Sequence, residues 1–399
     1  MEVKNLELKK NLSKDTVFNT INKMFISLED DDVRRTNKSL LLVIQTIINL
    51  MKLEDSLFEK AYQEIIFLGS FYKGTKVGKP NEFDLNVILK LPFNDKQINF
   101  YSKKSAFVQI QIEDQSSMYS SKYDHLSSRG KKSLNSFISS GYLNPNKFRY
   151  WIKGILYKVL NKLPKVQDKY ELRINDQLKA KIKIKENGPA NRIIINMPCE
   201  TENIHIDLAP ALAFHINYIN QFTSKFNELE NCRNKTWFAI PVPLTTNSDG
   251  NSDFENDENL YWRFSFSHQE KEILTKYGRI KSVIRQMKKL RDTQNWKSIA
   301  SYFIETLFLH KVEELKNDLE QIPFTLFFFK MLQELYYACN MHMLEYYWND
   351  KYNLFSKISK IEMYNITHHL KNIIKCIEKN SNDQFILAKF ICKLYFLKL

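Results

Sequence analysis

A Gly-Ser turn and an acidic strand lie close together between Phe67 and Leu89, a segment that reads FLGSFYKGTKVGKPNEFDLNVIL. Gly69 and Ser70 end a short apolar run, and Glu82 and Asp84 open the next one. Side chains two residues apart on a strand project from the same face, so both carboxylates are expected on one side while their apolar neighbours pack beneath. The segment therefore predicts a β-sheet that presents two acidic groups beside a Gly-Ser turn.

A third acidic residue lies on a later predicted strand, in the run IHIDL over Ile204–Leu208. Its apolar residues alternate with His205 and Asp207, which places Asp207 on the face opposite the core. On a neighbouring strand, Asp207 would complete with Glu82 and Asp84 a set of three hard oxygen ligands for divalent metal ions. Phosphoryl or nucleotidyl transfer between metal ions requires such a set.

The Gly-Ser turn supplies a phosphate-binding part for this hypothesis. Gly69 lets the backbone approach a phosphate closely, and the Ser70 hydroxyl and nearby amides can donate to phosphate oxygens. The alternative is that Glu82 and Asp84 form the solvent face of an edge strand and that the turn is an ordinary one. The order and spacing of the pieces favour the catalytic interpretation.

Length and composition place the chain among ordered globular proteins. Its 399 residues include 43% hydrophobic side chains and only 9 Gly and 10 Pro, which excludes collagen-like and disordered classes. The longest apolar run, Leu40–Met51, is too short for a membrane span. The charged N-terminus lacks the pattern of a signal peptide, so we expect a cytoplasmic protein without membrane association.

The net charge indicates a polyanionic partner. The chain has 59 Lys and Arg against 45 Asp and Glu, a formal charge of +14, which favours binding to nucleic acid through counterion release. The alternative is that many of the lysines only solvate helix faces. The 5 cysteines have no short Cys/His spacing that would bind zinc, and we expect reduced thiols.

Hydrophobic periodicity predicts both helices and strands in this chain. Residues from about 13 to 64 are helical in pattern, with Ser13 as the first cap and a long amphipathic helix over Val33–Leu53. Another helical pattern covers Leu134–Leu160, between runs that alternate as strands do. The predicted strands are Ile65–Leu68, Glu82–Leu91, Phe107–Ile112, Leu178–Ile184, Arg192–Met197 and Asn203–Leu208.

The remainder has two parts. Thr245–Asn259 is a polar, acidic stretch expected to be a surface loop, and His268–Leu399 has helical periodicity throughout. The predicted organisation is an N-terminal helical segment over 1–60, a sheet-containing core over 61–260 and a helical C-terminal lobe over 261–399. The fold class is α+β.

Three stretches resemble one family. The first is similar to the nucleotidyltransferase core of cyclic GMP-AMP synthase and the animal cyclic GMP-AMP synthase-like receptors. It consists of Gly69-Ser70, PNEFD over 80–84 and Ile206-Asp207. Tyr261–Leu274, YWRFSFSHQEKEIL, looks like the segment that crosses the family's nucleotide pocket. Ser301–Thr306 resembles the segment whose tyrosine stacks on a base. The resemblance implies a bilobal nucleotidyltransferase fold with the active site in a cleft.

The resemblance also implies roles for individual residues. Two Mg²⁺ or Mn²⁺ ions would be bound by Glu82, Asp84 and Asp207 as the catalytic residues. The nucleotides would be bound by Ser70, Asp207, Arg263, Ser265, Ser267, Glu270, Lys288, Ser301 and Tyr302. The residues themselves leave two alternatives open: Tyr302 as a core side chain, and Lys288 on a solvated helix face.

One departure from the family concerns zinc. Vertebrate members carry a His/Cys zinc module after the pocket segment, whereas 277–290 reads YGRIKSVIRQMKKL, without Cys or His. We therefore expect no zinc, and cationic helices in its place. Such surfaces suit the backbone and shape of a duplex, and similarity to insect members that lack the module implies double-stranded RNA as the ligand. The residues assigned to RNA are Arg34, Arg35, Lys38, Lys281 and Arg285.

The expected function is an RNA-activated cyclase. The family resemblance implies that ATP and GTP are joined into cyclic GMP-AMP, 2′,3′ or 3′,2′ linked, with release of diphosphate. The product would be a second messenger of innate antiviral signalling read by STING. The alternatives are a sensor of another ligand, a non-cyclising RNA nucleotidyltransferase, and a non-catalytic binding protein on the same fold.

Overall fold

A computed structural model describes most of the chain. The described residues are 2–26, 30–78, 81–113, 124–175, 178–187, 190–197, 202–242, 260–315, 319–383 and 385–392, with the side chains of 2–6 and 30–36 excepted. The predicted acidic loop lies entirely outside them, as does Cys199. The other four cysteines are free thiols, of which Cys232 and Cys339 are buried. No helix in the described ranges combines the length and apolar character needed to cross a membrane.

The chain divides into two compact units. The helical unit comprises Met1–Glu29, Ser70–Lys79 and Glu270–Leu399, and the sheet unit comprises Asp30–Gly69 and Pro80–Gln269. The domain limits at residues 60 and 260 stay a prediction.

The sheet unit is built on one large mixed sheet. Its described strands are β1 Tyr62–Leu68, β2 Glu82–Leu89, β3 Ile98–Tyr101, β4 Phe107–Ile112, β5 Ile138–Ser139, β6 Tyr142–Leu143, β7 Lys165–Val166, β8 Lys169–Arg173, β9 Lys179–Asn187, β10 Ala190–Asn196, β11 Ile204–His215, β12 Thr236–Ile240 and β13 Tyr261–Ser265. The strand order is β5-β6-β4-β13-β12-β11-β10-β9-β8-β7, while β2 pairs with both β11 and β1, and β3 pairs with β4. Of the described pairings, β2 with β11 is parallel and the others are antiparallel.

The described helices cover the sheet and form the other unit. They are α1 Glu2–Asn11, α2 Thr16–Ile21, α3 Asp30–Glu54, α4 Ser56–Ala61, α5 Gly69–Tyr72, α6 Ser128–Ser136, α7 Pro145–Asn161, α8 Phe226–Asn231, α9 Ser267–Lys276, α10 Ile280–Thr293, α11 Ser301–Leu315, α12 Phe324–Asn340, α13 Lys360–Lys379 and α14 Ile386–Cys392. Short helical turns lie at Asn22–Ile26, Asp95–Gln97, Ile216–Tyr218 and Asn220–Phe222. The long helix predicted over Val33–Leu53 is confirmed by α3, whose apolar stripe is buried at Leu40, Ile44 and Ile47.

Several sequence predictions of secondary structure are wrong in detail. Asp15, not Ser13, occupies the N-cap position of α2, and Ser13 instead donates to the Lys10 carbonyl. The helix predicted over Leu134–Leu160 is broken by the β5-β6 hairpin, because Ser140 and Gly141 have left-handed φ angles of 50° and 81°.

The C-terminal stretch is also not purely helical. It contains a two-stranded hairpin of β14 Glu345–Tyr346 and β15 Asn349–Asn353. Strands this short have too few residues for alternation to be recognised.

Candidate active site

The three candidate catalytic carboxylates lie on one face of the sheet unit. In the parallel β2-β11 pair, Asp84 is directly opposite Asp207 and Glu82 is opposite His205. The residues between them point the other way, and Phe83 is only 1% exposed. Parallel register keeps opposed residues on the same face, so the backbone places the three acidic side chains on one side of neighbouring strands. The predicted adjacency of these two strands is confirmed.

Gly69 lies against one of these carboxylates. It follows β1, whose last residue Leu68 is opposite Asp84, and it has a left-handed φ of 72°. A Cβ atom at this position would lie 2.1 Å from Asp84 Oδ2. Only glycine satisfies both the backbone angle and this close approach.

Asp207 has two partners within the sheet unit. Arg192, opposite it on β10, donates from Nε to Oδ1 and from Nη2 to Oδ2, both at 2.7 Å. The Asn187 side-chain amide also donates to Oδ2, at 2.8 Å. The hydrogen bond to Asp207, together with the charges of Asp207, Glu82 and Asp84, raises the pKa of Arg192 above its already high ordinary value. Arg192 is therefore a counter-cation for the acidic face.

The acidic face suits a divalent metal by its donor chemistry, since carboxylate oxygens are the ligands that Mg²⁺ and Mn²⁺ prefer. Across the described ranges, however, no three His, Cys, Asp or Glu side chains converge closely enough to enclose an ion. Both oxygens of Asp207 accept from Arg192, so this carboxylate is committed to a protein cation. A metal ion that used both oxygens of Asp207 would therefore compete with Arg192 for them.

Two residues of the predicted nucleotide pocket lie on the same sheet face. Through β12, the register places Arg263 and Ser265 of β13 on the side that carries Asp207. Arg263 is exposed, whereas Trp262, on the opposite face of the sheet, is fully buried. The Ser267 hydroxyl is buried and has no hydrogen-bond partner among the described atoms. Alternation along β13 thus separates the core residues from those available to a ligand.

The segment after the Gly-Ser turn is anchored inside the helical unit. Its backbone closes on itself, since the Thr75 amide donates to the Ser70 carbonyl at 2.7 Å. Lys73 and Thr75 are both buried, with exposures of 8% and 0%. A buried lysine requires a carboxylate partner.

Lys73 has two such partners, Glu270 and Glu305. With Lys288 they form a four-residue ion cluster in which every member is buried. Lys73 Nζ lies 2.9 Å from Glu305 and 3.1 Å from Glu270, and Lys288 Nζ lies 2.6 Å from Glu305. Glu305 also accepts from the Thr75 hydroxyl at 2.8 Å. Two positive and two negative charges therefore compensate each other around the segment that holds Ser70.

The cluster shifts the pKa values of its members. Burial alone would raise the pKa of Glu305, but Lys73 and Lys288 outweigh it and lower that pKa to about 2. Burial opposes the charged form of Lys73, yet Glu305 and Glu270 raise its pKa. For Lys288, burial dominates and lowers the pKa.

Two predicted pocket residues, Glu270 of α9 and Lys288 of α10, belong to this cluster, and Tyr302 of α11 contacts it. Lys288 is only 2% exposed and also donates to Thr75, so its assignment to a solvated helix face is wrong. Tyr302 donates its hydroxyl to Glu270 at 2.7 Å, and Ser301 accepts from Arg291 at 2.8 Å. Burial, followed by the charge of Glu270, raises the pKa of Tyr302 well above its ordinary value.

Arg279, just before α10, differs in its contacts from Lys281 and Arg285 on that helix. Arg279 donates to the carbonyls of Glu320 and Ile322 and lies over the Phe324 ring, so it has a structural role. Lys281 and Arg285 instead make no ion pair with any described carboxylate.

Like charges surround Lys281. Burial lowers its pKa, and the charges of Lys271 and Arg285 lower it further. Burial also lowers the pKa of Arg285, whose Nε has no hydrogen-bond partner among the described atoms. On α3, Lys38 is exposed, and the side chains of Arg34 and Arg35 lie outside the described residues.

Comparison with known proteins identifies the family. Residues 71–276 match the Mab-21 protein nucleotidyltransferase domain, and residues 279–372 match the Mab-21 protein HhH/H2TH-like domain. The chain is 34% identical over 396 residues to a cyclic GMP-AMP synthase-like receptor of Trichogramma pretiosum, covering 97% of this chain and 78% of the relative. A receptor of the same description from Microplitis demolitor is 35% identical over 389 residues, covering 96% and 69%.

The chain belongs to the cyclic GMP-AMP synthase-like receptor family of Mab-21 nucleotidyltransferases. A third relative with this description, from Ctenocephalides felis, is 30% identical over 390 residues, covering 93% of this chain and 86% of its own. The family resemblance and the α+β nucleotidyltransferase fold predicted from the sequence are confirmed.

Three charged residues that contact candidate site residues or the segment after Ser70 were missed by sequence reasoning: Arg192, Lys73 and Glu305. Arg192 alternates outward on a predicted strand, which is a signal that could have singled it out. Glu305 lies 232 residues from Lys73, and nothing local in the sequence indicates that the two meet.

Replacing Gly69 by alanine is expected to reduce nucleotidyl transfer about a hundredfold, because the new methyl group displaces the Asp84 carboxylate by an ångström or more. Gly78→Ala is the matched control, since Gly78 has a φ of 75° but nothing within 4 Å of the added Cβ. Both variants are expected to lose about 1 kcal/mol of stability from backbone strain. Initial rates and urea unfolding measure the two effects, and equal activity of both variants would contradict the assigned contact.

Glu305→Gln is expected to lower the free energy of unfolding at pH 7 by about 3 kcal/mol, because two buried lysines lose a partner. Glu314→Gln, on the same helix but in the exposed pair with Lys311, is expected to cost less than about 1 kcal/mol. Urea unfolding measures both.

The Glu305 effect should depend on pH with a definite sign. Its folded pKa is depressed from 4.5 to about 2, so its contribution is present above pH 4.5 and is lost as the pH falls toward 2. The difference between wild type and Glu305→Gln should shrink over that range. A difference that stays constant from pH 7 to pH 3 would argue against the charge cluster.

Proposed function

We propose that this nucleotidyltransferase is activated by double-stranded RNA and joins ATP and GTP into cyclic GMP-AMP, 2′,3′ or 3′,2′ linked, with release of diphosphate. The product would act as a second messenger of innate antiviral signalling through STING, and the enzyme would work in the cytoplasm. The observation that carries the enzymatic part is the alignment of Glu82, Asp84 and Asp207 on one face of the β2-β11 pair.

Glu82, Asp84 and Asp207 are the residues that would hold two Mg²⁺ or Mn²⁺ ions, with no need for zinc. Such ions, when bound, lower the pKa of an attacking hydroxyl and neutralise charge on the triphosphate. Gly69 keeps the Asp84 carboxylate in place, because it leaves room for that side chain.

The pocket residues have separate tasks in this proposal. Ser70 holds the donor triphosphate, while Arg263 and Ser265 bind the acceptor from the acidic face of the sheet. An exposed arginine offers planar paired donors to a purine edge or a phosphate. Ser267 has a buried hydroxyl that still needs a partner, which supports its place in the pocket.

The other assigned pocket residues surround the ion cluster. Tyr302 offers a ring face for stacking, with Ser301 beside it, and Glu270 orients the tyrosine hydroxyl. Lys288 acts on the donor side by holding Thr75, and through it the segment that contains Ser70. These residues position the nucleotides and do not themselves exchange protons with them.

The RNA part of the proposal is supported by excess positive charge on α9 and α10. Lys271, Lys281 and Arg285 lie close enough to affect one another, and no described carboxylate pairs with them. Cations held together without counter-charges favour a polyanion, because binding removes their mutual repulsion. Lys38, with Arg34 and Arg35, adds positive charge on α3.

The function is tested by incubating the purified protein with all four nucleoside triphosphates, Mg²⁺ or Mn²⁺, and RNA or DNA duplexes. Mass analysis of the products is expected to find a cyclic GMP-AMP that requires double-stranded RNA. Lengthened RNA would identify a non-cyclising transferase, activation by DNA alone would identify another ligand, and no product under any condition would indicate a binding protein.

Glu82→Gln and Asp84→Asn are each expected to reduce transfer about a hundredfold or more while leaving the melting temperature nearly unchanged. Each substitution removes a ligand charge from an exposed strand position and no core volume. Glu64→Gln, an exposed carboxylate on β1, is the matched control. Full activity in either of the first two variants would disprove the metal-ligand assignment.

Neutralising Arg34, Arg35, Lys281 and Arg285 together to glutamine should weaken RNA binding and make its salt dependence shallower. Four fewer phosphate contacts correspond to a log–log slope reduced by roughly 3.6. The control is a fourfold glutamine variant on α13, at Lys360, Lys371, Lys375 and Lys379, which are all exposed. Filter binding across salt concentrations measures the slopes, and an equal loss in both variants would refute the assigned surface.

A further inference from the structure

The acidic face of the sheet unit carries its own cation. Glu82, Asp84 and Asp207 share one side of the β2-β11 pair, and like charges so close repel one another. Arg192 projects from β10 into the same group and is 30% exposed at its side chain, against 19% for Asp207. A half-buried bidentate pair of this kind is stronger than an exposed single-point ion pair.

The hydrogen bonds to Asp207 leave little room for another ligand. A carboxylate offers about four lone-pair positions, two on each oxygen. Oδ2 accepts from Arg192 and from Asn187, and Oδ1 accepts from Arg192. Three of the four positions are therefore taken, and a metal ion that binds both oxygens of Asp207 must displace at least one donor from Oδ2.

The backbone does not need to change for that exchange. Asp207 is already opposite Asp84 in the strand register, so a rotation of side chains is sufficient to turn the carboxylate from β10 toward β2. Arg192 has a long flexible side chain that is partly exposed, and Asn187 lies at the exposed end of β9. Both donors can withdraw without opening the core.

We propose that Arg192 is an internal counter-cation that occupies Asp207 in the metal-free enzyme and releases it when a divalent ion binds. Arg192 is thus a positioning residue that sets the affinity of the site for metal, and it does not itself contact the reacting atoms. This inference rests on the proposed metal-dependent function.

The sign of the effect separates this role from a purely structural one. If Arg192 competes with the metal, removing it strengthens metal binding. If Arg192 only holds Asp207 in its working orientation, removing it weakens metal binding. The two roles therefore predict opposite changes in one equilibrium constant.

The test is Mn²⁺ binding to the nucleotide-free, full-length protein, measured from the electron paramagnetic resonance signal of free Mn²⁺. Arg192→Met is expected to bind Mn²⁺ about tenfold more tightly than wild type. Arg192→Lys keeps the charge but loses the paired donors, so its gain in Mn²⁺ affinity should be smaller. Lys185→Met is the matched control, because Lys185 is opposite Arg192 on β9 and makes no described contact with Asp207. It should change the affinity less than about twofold.

Two further measurements test the role of Arg192 without relying on the equilibrium binding of Mn²⁺ to Arg192→Met. Asn187→Ala removes a single donor at an exposed strand end and should tighten binding about twofold to threefold even if Arg192→Met folds poorly. Melting temperatures should show that Mn²⁺ stabilises Arg192→Met more than wild type, because a repulsive acidic face gains more from the ion.

Different results would contradict the role of Arg192 and the metal-dependent function. Equal or weaker Mn²⁺ binding by both Arg192→Met and Asn187→Ala would overturn the inference, while the metal-dependent function would stand if Asp84→Asn abolishes binding in the wild-type background. Absence of Mn²⁺ binding from wild type and every Arg192 variant would overturn both.

Discussion

The parallel pairing of β2 with β11 is the constraint on which the acidic face depends. It places Asp84 opposite Asp207 and keeps Glu82 on the same side, while the alternate residues fill the core. A face that carries three carboxylates is unfavourable unless cations compensate it. Arg192 provides that compensation within the protein, and the proposed metal ions provide it during catalysis. The same charge that makes the face suitable for metal therefore makes its metal-free form dependent on an arginine.

Charge compensation also organises the helical unit, by a different physical route. There the charges are buried, so Glu305 must satisfy Lys73 and Lys288 at once, and the loss of one partner leaves an uncompensated ion. The segment that follows the Gly-Ser turn enters this cluster through Lys73 and Thr75. The position of Ser70 thus depends on helices that are far away in the sequence. A segment held in this way is preorganised, so the proposed binding of a nucleotide at Ser70 would not have to order it.

The sequence was informative wherever a local pattern determines a structure. Alternation in Glu82–Leu91 and Asn203–Leu208 predicted the two strands and placed their acidic residues on the side opposite the core, and a long apolar stripe predicted α3. Contacts across the chain could not be predicted in this way. The partner of Asp207 depends on the β10-β11 register, and Lys73 and Glu305 meet only through tertiary packing. The interruption at Ser140 was missed because a non-glycine residue with a left-handed φ has no reliable sequence signal.

The central claim is that Glu82, Asp84 and Asp207 form one metal site. Crystals grown with Mn²⁺ and a non-hydrolysable ATP analogue test it most directly, through anomalous scattering at the manganese edge. The account predicts manganese peaks bound by oxygens of all three carboxylates, with the Arg192 guanidinium no longer paired to both oxygens of Asp207. Manganese bound elsewhere while the Arg192 pair to Asp207 stays intact would contradict it.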